Sequence, residues 1–315
     1  MKIPFIEHRN WFFLFSLAVI VLGLIYMVVN SATGRGLFEY DVEFTGGTSF
    51  QVDMGKPFNN NDVAALVTQV TGVTDPQIQK LSDNTNANMV EIKVKELDQD
   101  TRAKLIDQFS STFGVDKQSI TYSDFSPTVS SEMQKTAILA LVVSCVLMLI
   151  YISFRFRNVR MGGAAIASLL HDAIIVVVAY GVLRIPLSYS FIAVVLTVIG
   201  YSINATIVIF DRIRENRPNM KKQPVAELID HSVTQTMRRS VYTTTTVFIA
   251  LLCLYILGVV TIKQFSLPLL IGVVFGGYSS VCLSSSFWYV FLFGPKGEKF
   301  KAPKQKAGAQ SPQNA

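Results

Sequence analysis

The chain has 315 residues, of which 50% are hydrophobic and only 16% charged, with a mean hydropathy of +0.39 and a formal net charge of +6. That balance excludes an ordinary water-soluble domain. The basic residues flank apolar runs with no aromatic-and-basic groove pattern between them, so the positive charge does not point to nucleic acid.

Six stretches lack Lys, Arg and Glu: 11–29, 136–154, 161–183, 185–210, 240–262 and 265–293. Each is long enough to cross about 30 Å of hydrocarbon as a helix. The first follows Lys2 and Arg9 and precedes Ser31 and Ala32, as a signal peptide would. Its length exceeds the roughly 7 to 15 apolar residues of such a peptide, so it reads as an uncleaved anchor.

Residues 35–125 form an acidic segment with 14 Asp or Glu against 8 Lys or Arg. Residues 38–44 (FEYDVEF) and 48–54 (TSFQVDM) predict strands separated by Thr45, Gly46 and Gly47. A helix over 61–70 carries Val63, Leu66, Val67 and Val70 at helical spacing. Strands at 77–81 and 89–95 flank the turn SDNTNAN, residues 82–88. Asp98 starts a second helix bearing Leu105, Ile106 and Phe109, and 118–122 gives a closing strand. From the second strand onward the order is β-α-β-β-α-β, ferredoxin-like, with an additional leading strand. Such an α+β domain can equally be a passive cap.

Polar residues inside apolar spans are costly and need a reason. His171 and Asp172 fall mid-span in the third; a role in ion movement or gating competes with an interhelical hydrogen bond. The fourth carries Thr197, Gly200, Asn204 and Asp211 near one helical face, and Asn204 is expected to face protein. Asp211 opens the cluster DRIREN, with Arg212, Arg214 and Glu215, at a span edge where anchoring is as good a reading as chemistry. Arg239 opens the fifth span, ahead of Thr243 to Thr246. In the last span Gly272, Gly276, Ser280 and Ser284 recur every four residues, a stripe suited to close helix packing.

Lys and Arg in the short connections put 17 on one side and 3 (Lys135, Arg184, Lys263) on the other. The positive-inside rule makes both termini cytoplasmic and the acidic domain external. The expected division is 1–34 for the N-terminus and first helix, 35–127 for the external domain, 128–295 for helices two to six, and 296–315 for a disordered basic tail. Cys145, Cys253 and Cys282 all lie in spans, so no disulfide framework is implied. No nucleophile-and-base constellation, phosphate loop or metal-ligand spacing appears, and His8, His171 and His231 are scattered, so neither an enzyme nor a metal or cofactor site is expected.

FTGG at 44–47, LLHD at 169–172, GYSIN at 200–204, FDRIREN at 210–216 and QTMRRS at 235–240 together resemble the SecD/SecF family of bacterial protein-export membrane proteins, within the resistance-nodulation-division superfamily. The resemblance covers nearly all of 11–293. It implies half of a resistance-nodulation-division membrane domain, pairing with SecD, and use of a proton or sodium motive force. It further implies action on preproteins at the SecYEG translocon in the cytoplasmic membrane, with YajC as a further accessory partner. Arg239 and Asn204 match the family arginine and asparagine of the fifth and fourth spans. Where relatives carry an acidic proton carrier after that asparagine, this chain has Ala205. The carrier is then supplied by SecD alone, or Asp172 takes part, or coupling differs; the vacancy favours SecD, with Asn204 and Arg239 orienting its carboxylate. Glu43 stands where the family commonly has Asp. The competing readings are half of a lipid or small-molecule exporter of the same superfamily and a structural subunit without an ion path.

Overall fold

The computed structural model describes residues 4–73, 76–81, 88–156, 158–220 and 223–298. Lys2, Arg157, Lys221, Lys222, residues 82–87 of the expected turn and the tail beyond 298 lie outside the described residues.

Six helices are long and apolar enough to span a membrane: α1 (Arg9–Ala32), α5 (Pro127–Phe156), α6 (Val159–Leu183), α7 (Tyr189–Asn216), α8 (Val225–Leu257) and a last one, Ile262–Phe293. The chain is a multi-pass membrane protein. The fourth span starts as a helix at Tyr189, after the extended Ser188 and with the Leu187 N–H bonded away to the Glu39 carbonyl, and it runs on through DRIREN to Asn216. The fifth begins fifteen residues before the apolar run at 240, at Val225 behind Pro224, and ends at Gly258. The last is built from α9 (Val260–Tyr278), a π turn at Ser279–Ser284 and α10 (Ser285–Phe293).

α6, α7 and the π turn supply the membrane interior, whose fully buried side chains include Val176, Tyr180, Val194, Val198, Ile209 and Phe210. α1, α5 and α8 lie outside them with large apolar side chains exposed, as lipid-facing helices require.

Between α1 and α5 sits a four-stranded antiparallel sheet in the order β2-β3-β1-β4, from β1 (Gly47–Asp53), β2 (Gln77–Leu81), β3 (Met89–Val94) and β4 (Ile120–Phe125). Helices α3 (Asn60–Thr71) and α4 (Gln99–Phe113) cover one face, giving the ferredoxin-like arrangement. Asn59 and Asp98 cap their N-termini and left-handed Gly72 and Gly114 close them. Phe50, Val52, Val63, Val67, Ile92, Leu105 and Phe109 are fully buried between sheet and helices, separate from the membrane core. Truncating Phe109 to Ala would cost about 3–5 kcal/mol.

The expected leading strand at 38–44 is not one. Only Tyr40 makes a bridge, to Leu187, and Val42–Thr45 form a single helical turn, α2. The alternation in FEYDVEF is outweighed by a local cap, because the Asp41 carboxylate accepts the Glu43 N–H and turns the chain into the helix.

Candidate functional site

Three groupings of polar residues stand out, and the first lies in the membrane interior. Ser168, Asp172 and Val176 share the buried face of α6 at four-residue steps. Asp172 is fully buried, and its Oδ2 accepts from Ser202 Oγ of α7 at 2.5 Å and from Ser279 Oγ of the π turn at 2.7 Å. Its Oδ1 lies 2.9 Å from Nδ1 of His171. Beyond Ser202, Ser280 Oγ donates to the Ser202 carbonyl at 3.1 Å, and Thr206 Oγ1 donates to Ser280 Oγ at 3.2 Å.

Small residues let these helices meet. A Cβ on Gly276 would lie 3.4 Å from Ser202 Cβ, and one on Gly272 would overlap the Val198 side chain. The stripe Gly272, Gly276, Ser280, Ser284 thus packs within this subunit against α6 and α7, with Ser280 and Ser284 fully buried. Ser279, outside the four-residue repeat but three residues from Gly276 and so on the same helical face, meets Asp172 where the π turn begins. Ser202 and Ser279 are the residues the sequence alone did not single out; for Ser202 the signal was another hydroxyl, Thr206, one turn away on the same buried face.

The second grouping joins the external sheet to the membrane helices through the FTGG segment. Asp41 is buried and its Oδ2 accepts from Lys93 Nζ of β3 at 2.6 Å. Burial alone would lower the Lys93 pKa; the Asp41 and Glu91 carboxylates outweigh it and hold the ammonium above its ordinary value. Glu43 Oε2 accepts the Tyr189 N–H at the start of α7 at 3.0 Å, and its carboxyl is pushed above the usual range by burial. Gln134 Nε2 of α5 donates to the Phe44 carbonyl at 2.5 Å. Gly46 and Gly47 both have positive φ, +80° and +150°; a Cβ at Gly46 would press on Pro127 and one at Gly47 would overlap the Val94 carbonyl. A cleft of about 1010 Å³ opens beside this joint, lined by Glu39, Gly46, Lys93, Glu96, Arg184 and Gln264 among others.

The third grouping faces outward. Thr197, Gly200 and Asn204 form an exposed line on α7, and Arg239 and Thr243 are exposed on α8. Within this chain Asn204 is not packed against protein: Val194, Val198, Ser202 and Ile209 take the inward face of α7. Tyr201 donates to Thr244 at 2.8 Å and Arg212 to Gln235 at 2.6 Å, an antiparallel register that brings Asn204 and Arg239 within about one helical turn along the pair. Neither meets His171 or Asp172, so the four ion-relay candidates divide into a buried pair and an exposed pair.

At the end of α7, Asp211 pairs with Arg155 of α5 and lies 3.8 Å from Arg214, while Arg212 pairs with Glu215 at 2.8 Å. These half-exposed ions tie α5, α7 and α8 together at one end of the bundle. No three His, Cys, Asp or Glu converge as a metal site among the described residues.

Six apolar helices around a buried carboxylate, with a ferredoxin-like domain inserted after the first, define half of a resistance-nodulation-division type membrane domain. The model of the family described as "Protein export membrane protein SecD/SecF, C-terminal" matches residues 104–293. Protein translocase subunit SecF of Thermobaculum terrenum is 33% identical over 295 residues, 89% of this chain and 90% of that one. Protein translocase subunit SecDF of Bacillus subtilis is 34% identical over 95% of this chain, which spans only 39% of that longer protein. The crystal structure of SecDF, a translocon-associated membrane protein, from Thermus thermophilus superposes with a TM-score of 0.77 at 28% identity over 91% of this chain and 38% of its own. The chain belongs to the SecD/SecF family of protein-export membrane proteins.

Proposed function

We propose that the chain is the SecF-type subunit of a SecDF accessory complex. It pairs with SecD and assists preprotein translocation through SecYEG, with YajC as a further accessory partner, on the energy of a proton or sodium gradient and without a catalytic site of its own. Residues 35–127 stand outside the cytoplasmic membrane, 128–295 return through it and both termini are cytoplasmic, a reading supported by the one-sided distribution of Lys and Arg.

The observation that carries the pairing is the exposed polar line on α7 and α8. An asparagine and an arginine turned outward within apolar helices are costly against lipid and favourable against a partner's polar groups. With Ala205 in place of a titratable residue, Asn204 and Arg239 hydrogen bond to and charge-stabilise a carboxylate that SecD supplies. The test is extraction of the intact membrane complex in mild detergent. SecD and SecYEG copurify with the wild-type chain, and Arg239→Ala abolishes gradient-driven export from vesicles while the subunits still copurify. Recovery of the chain without SecD overturns the pairing, and full export by Arg239→Ala overturns the assigned role of the arginine.

A further inference from the structure

The buried pair His171 and Asp172 is left over once Asn204 and Arg239 are assigned to a partner-facing side. Among the described residues Asp172 has no Lys or Arg bonded to it, and His171 is the one titratable group that is. A bare carboxylate in such a place is costly, so the pair binds one proton tightly, as carboxylic acid with neutral imidazole or as carboxylate with imidazolium, and two donated hydroxyls are what make the discharged state accessible. Around it α7 and the π turn present hydroxyls only, Ser202 and Ser279. The titratable side chains of the packed elements bond elsewhere or nowhere: Tyr278 donates to the Phe12 carbonyl, Tyr201 to Thr244, and Cys282 is half-buried without a bond to the carboxyl.

Two further facts bear on what this pair does. Among the described residues nothing partners His171 Nε2, in a ring only 7% exposed, and Ser168 Oγ, one turn below Asp172, is likewise buried and unpartnered. Hydroxyls donate or accept by rotating, so Ser202 and Ser279 satisfy Asp172 as a carboxylate and as an acid. A metal ion, by contrast, would have to push apart oxygens that lie only 2.5 and 2.7 Å from Oδ2 and are held there by hydrogen bonds; a proton needs no room.

We infer that His171 relays a proton between its unpartnered Nε2 and Asp172, making the pair a proton-binding site internal to this subunit. A hydronium ion reaching the slightly exposed ring gives its proton to Nε2 and leaves as water, while the proton on Nδ1 passes to Asp172 Oδ1; the ring ends neutral with its proton moved from one nitrogen to the other, and the carboxylate has gained one proton. Reversal discharges the site. The inference concerns residues of this chain alone and does not depend on pairing with SecD.

The test uses the full chain reconstituted in lipid vesicles and pH-difference infrared spectroscopy in the carboxylic-acid C=O region. The wild type shows a buried-acid band that comes and goes with pH. The band is lost in Asp172→Asn and moves to higher wavenumber in Ser279→Ala, since a carbonyl that loses a hydrogen-bond donor stiffens. In His171→Gln it persists but ceases to exchange on the timescale of a pH jump. Difference spectra of wild type and Asp172→Asn that coincide overturn the site. So does a Ser279→Ala band at the wild-type position, a comparison that still decides the matter if Asp172→Asn does not fold. A wild-type band that responds to replacing sodium by choline at constant pH also overturns it, because that would mark a metal-ion site.

Discussion

Glu43 Oε2 accepts the backbone N–H of Tyr189, the first residue of α7, so the external domain is bonded to the end of the helix that carries Ser202 and Asn204. The same short segment bonds Lys93 of the sheet through Asp41 and Gln134 of α5 through the Phe44 carbonyl. The sheet and α7 are thus bonded together through α2 and its flanks.

The buried Glu43 carboxyl has a pH signature, which the bond to Tyr189 opposes. Burial raises the Glu43 carboxyl above its ordinary 4.5, so the fold prefers the protonated form. The stability it contributes is complete below 4.5 and is lost as pH rises through the raised folded-state value. Glu43→Gln keeps an acceptor for Tyr189 and cannot ionise, so its thermal unfolding in detergent should decline less between pH 4.5 and neutrality than that of the wild type. Parallel pH profiles would refute this.

Two glycines with positive φ should respond differently to alanine. At Gly55, with φ +61° and open space around it, Ala adds only backbone strain, about 1–2 kcal/mol. At Gly47 the new Cβ also meets the Val94 carbonyl of the neighbouring strand, adding about 1–3 kcal/mol of overpacking. Export in cells and thermal unfolding should both separate the two variants, and equal effects would remove the special role of Gly47.

Gly272 and Gly200 make a second pair. A side chain at Gly272 collides with Val198, so Gly272→Ala should destabilise the isolated subunit by about 1–3 kcal/mol. Nothing lies within 4 Å of a Cβ at Gly200, so Gly200→Leu should leave the isolated subunit unchanged yet weaken recovery of SecD. Normal copurification with Gly200→Leu would mean that this line on α7 is not the docking side.

The external domain should fold alone. Its core of Phe50, Ile92, Leu105, Phe109 and their neighbours shares no residue with the membrane core. A fragment covering 38–125 is expected to melt cooperatively by circular dichroism; a molten spectrum without a transition counts against it.

The six spans were legible because a membrane demands uninterrupted apolar length, and β1 to β4 with α3 and α4 because period and turn chemistry agree there. FEYDVEF misled because strand alternation is a two-residue pattern that a single cap at Asp41 overrides. The composition of the site was half visible: Asp172 and His171 announce themselves by being polar in an apolar run, whereas Ser202 and Ser279 are ordinary in sequence and become partners only through helix packing. Exposure of Asn204 was not legible, since a helix periodicity tells which residues share a face but not which face turns inward.

The π turn gives the last helix a crankshaft. If the six residues Ser279–Ser284 tightened to α geometry, the shaft beyond would swing by about 100° and advance about 1.5 Å, the step of one residue. Trp288, buried with its ring 6.3 Å from that of Phe210, would be carried out of register, while Ser279, where the turn begins, would keep its place on Asp172. Grip on the carboxyl and seating of the indole thereby lie on opposite sides of one joint, with a stroke set by one residue's worth of slack.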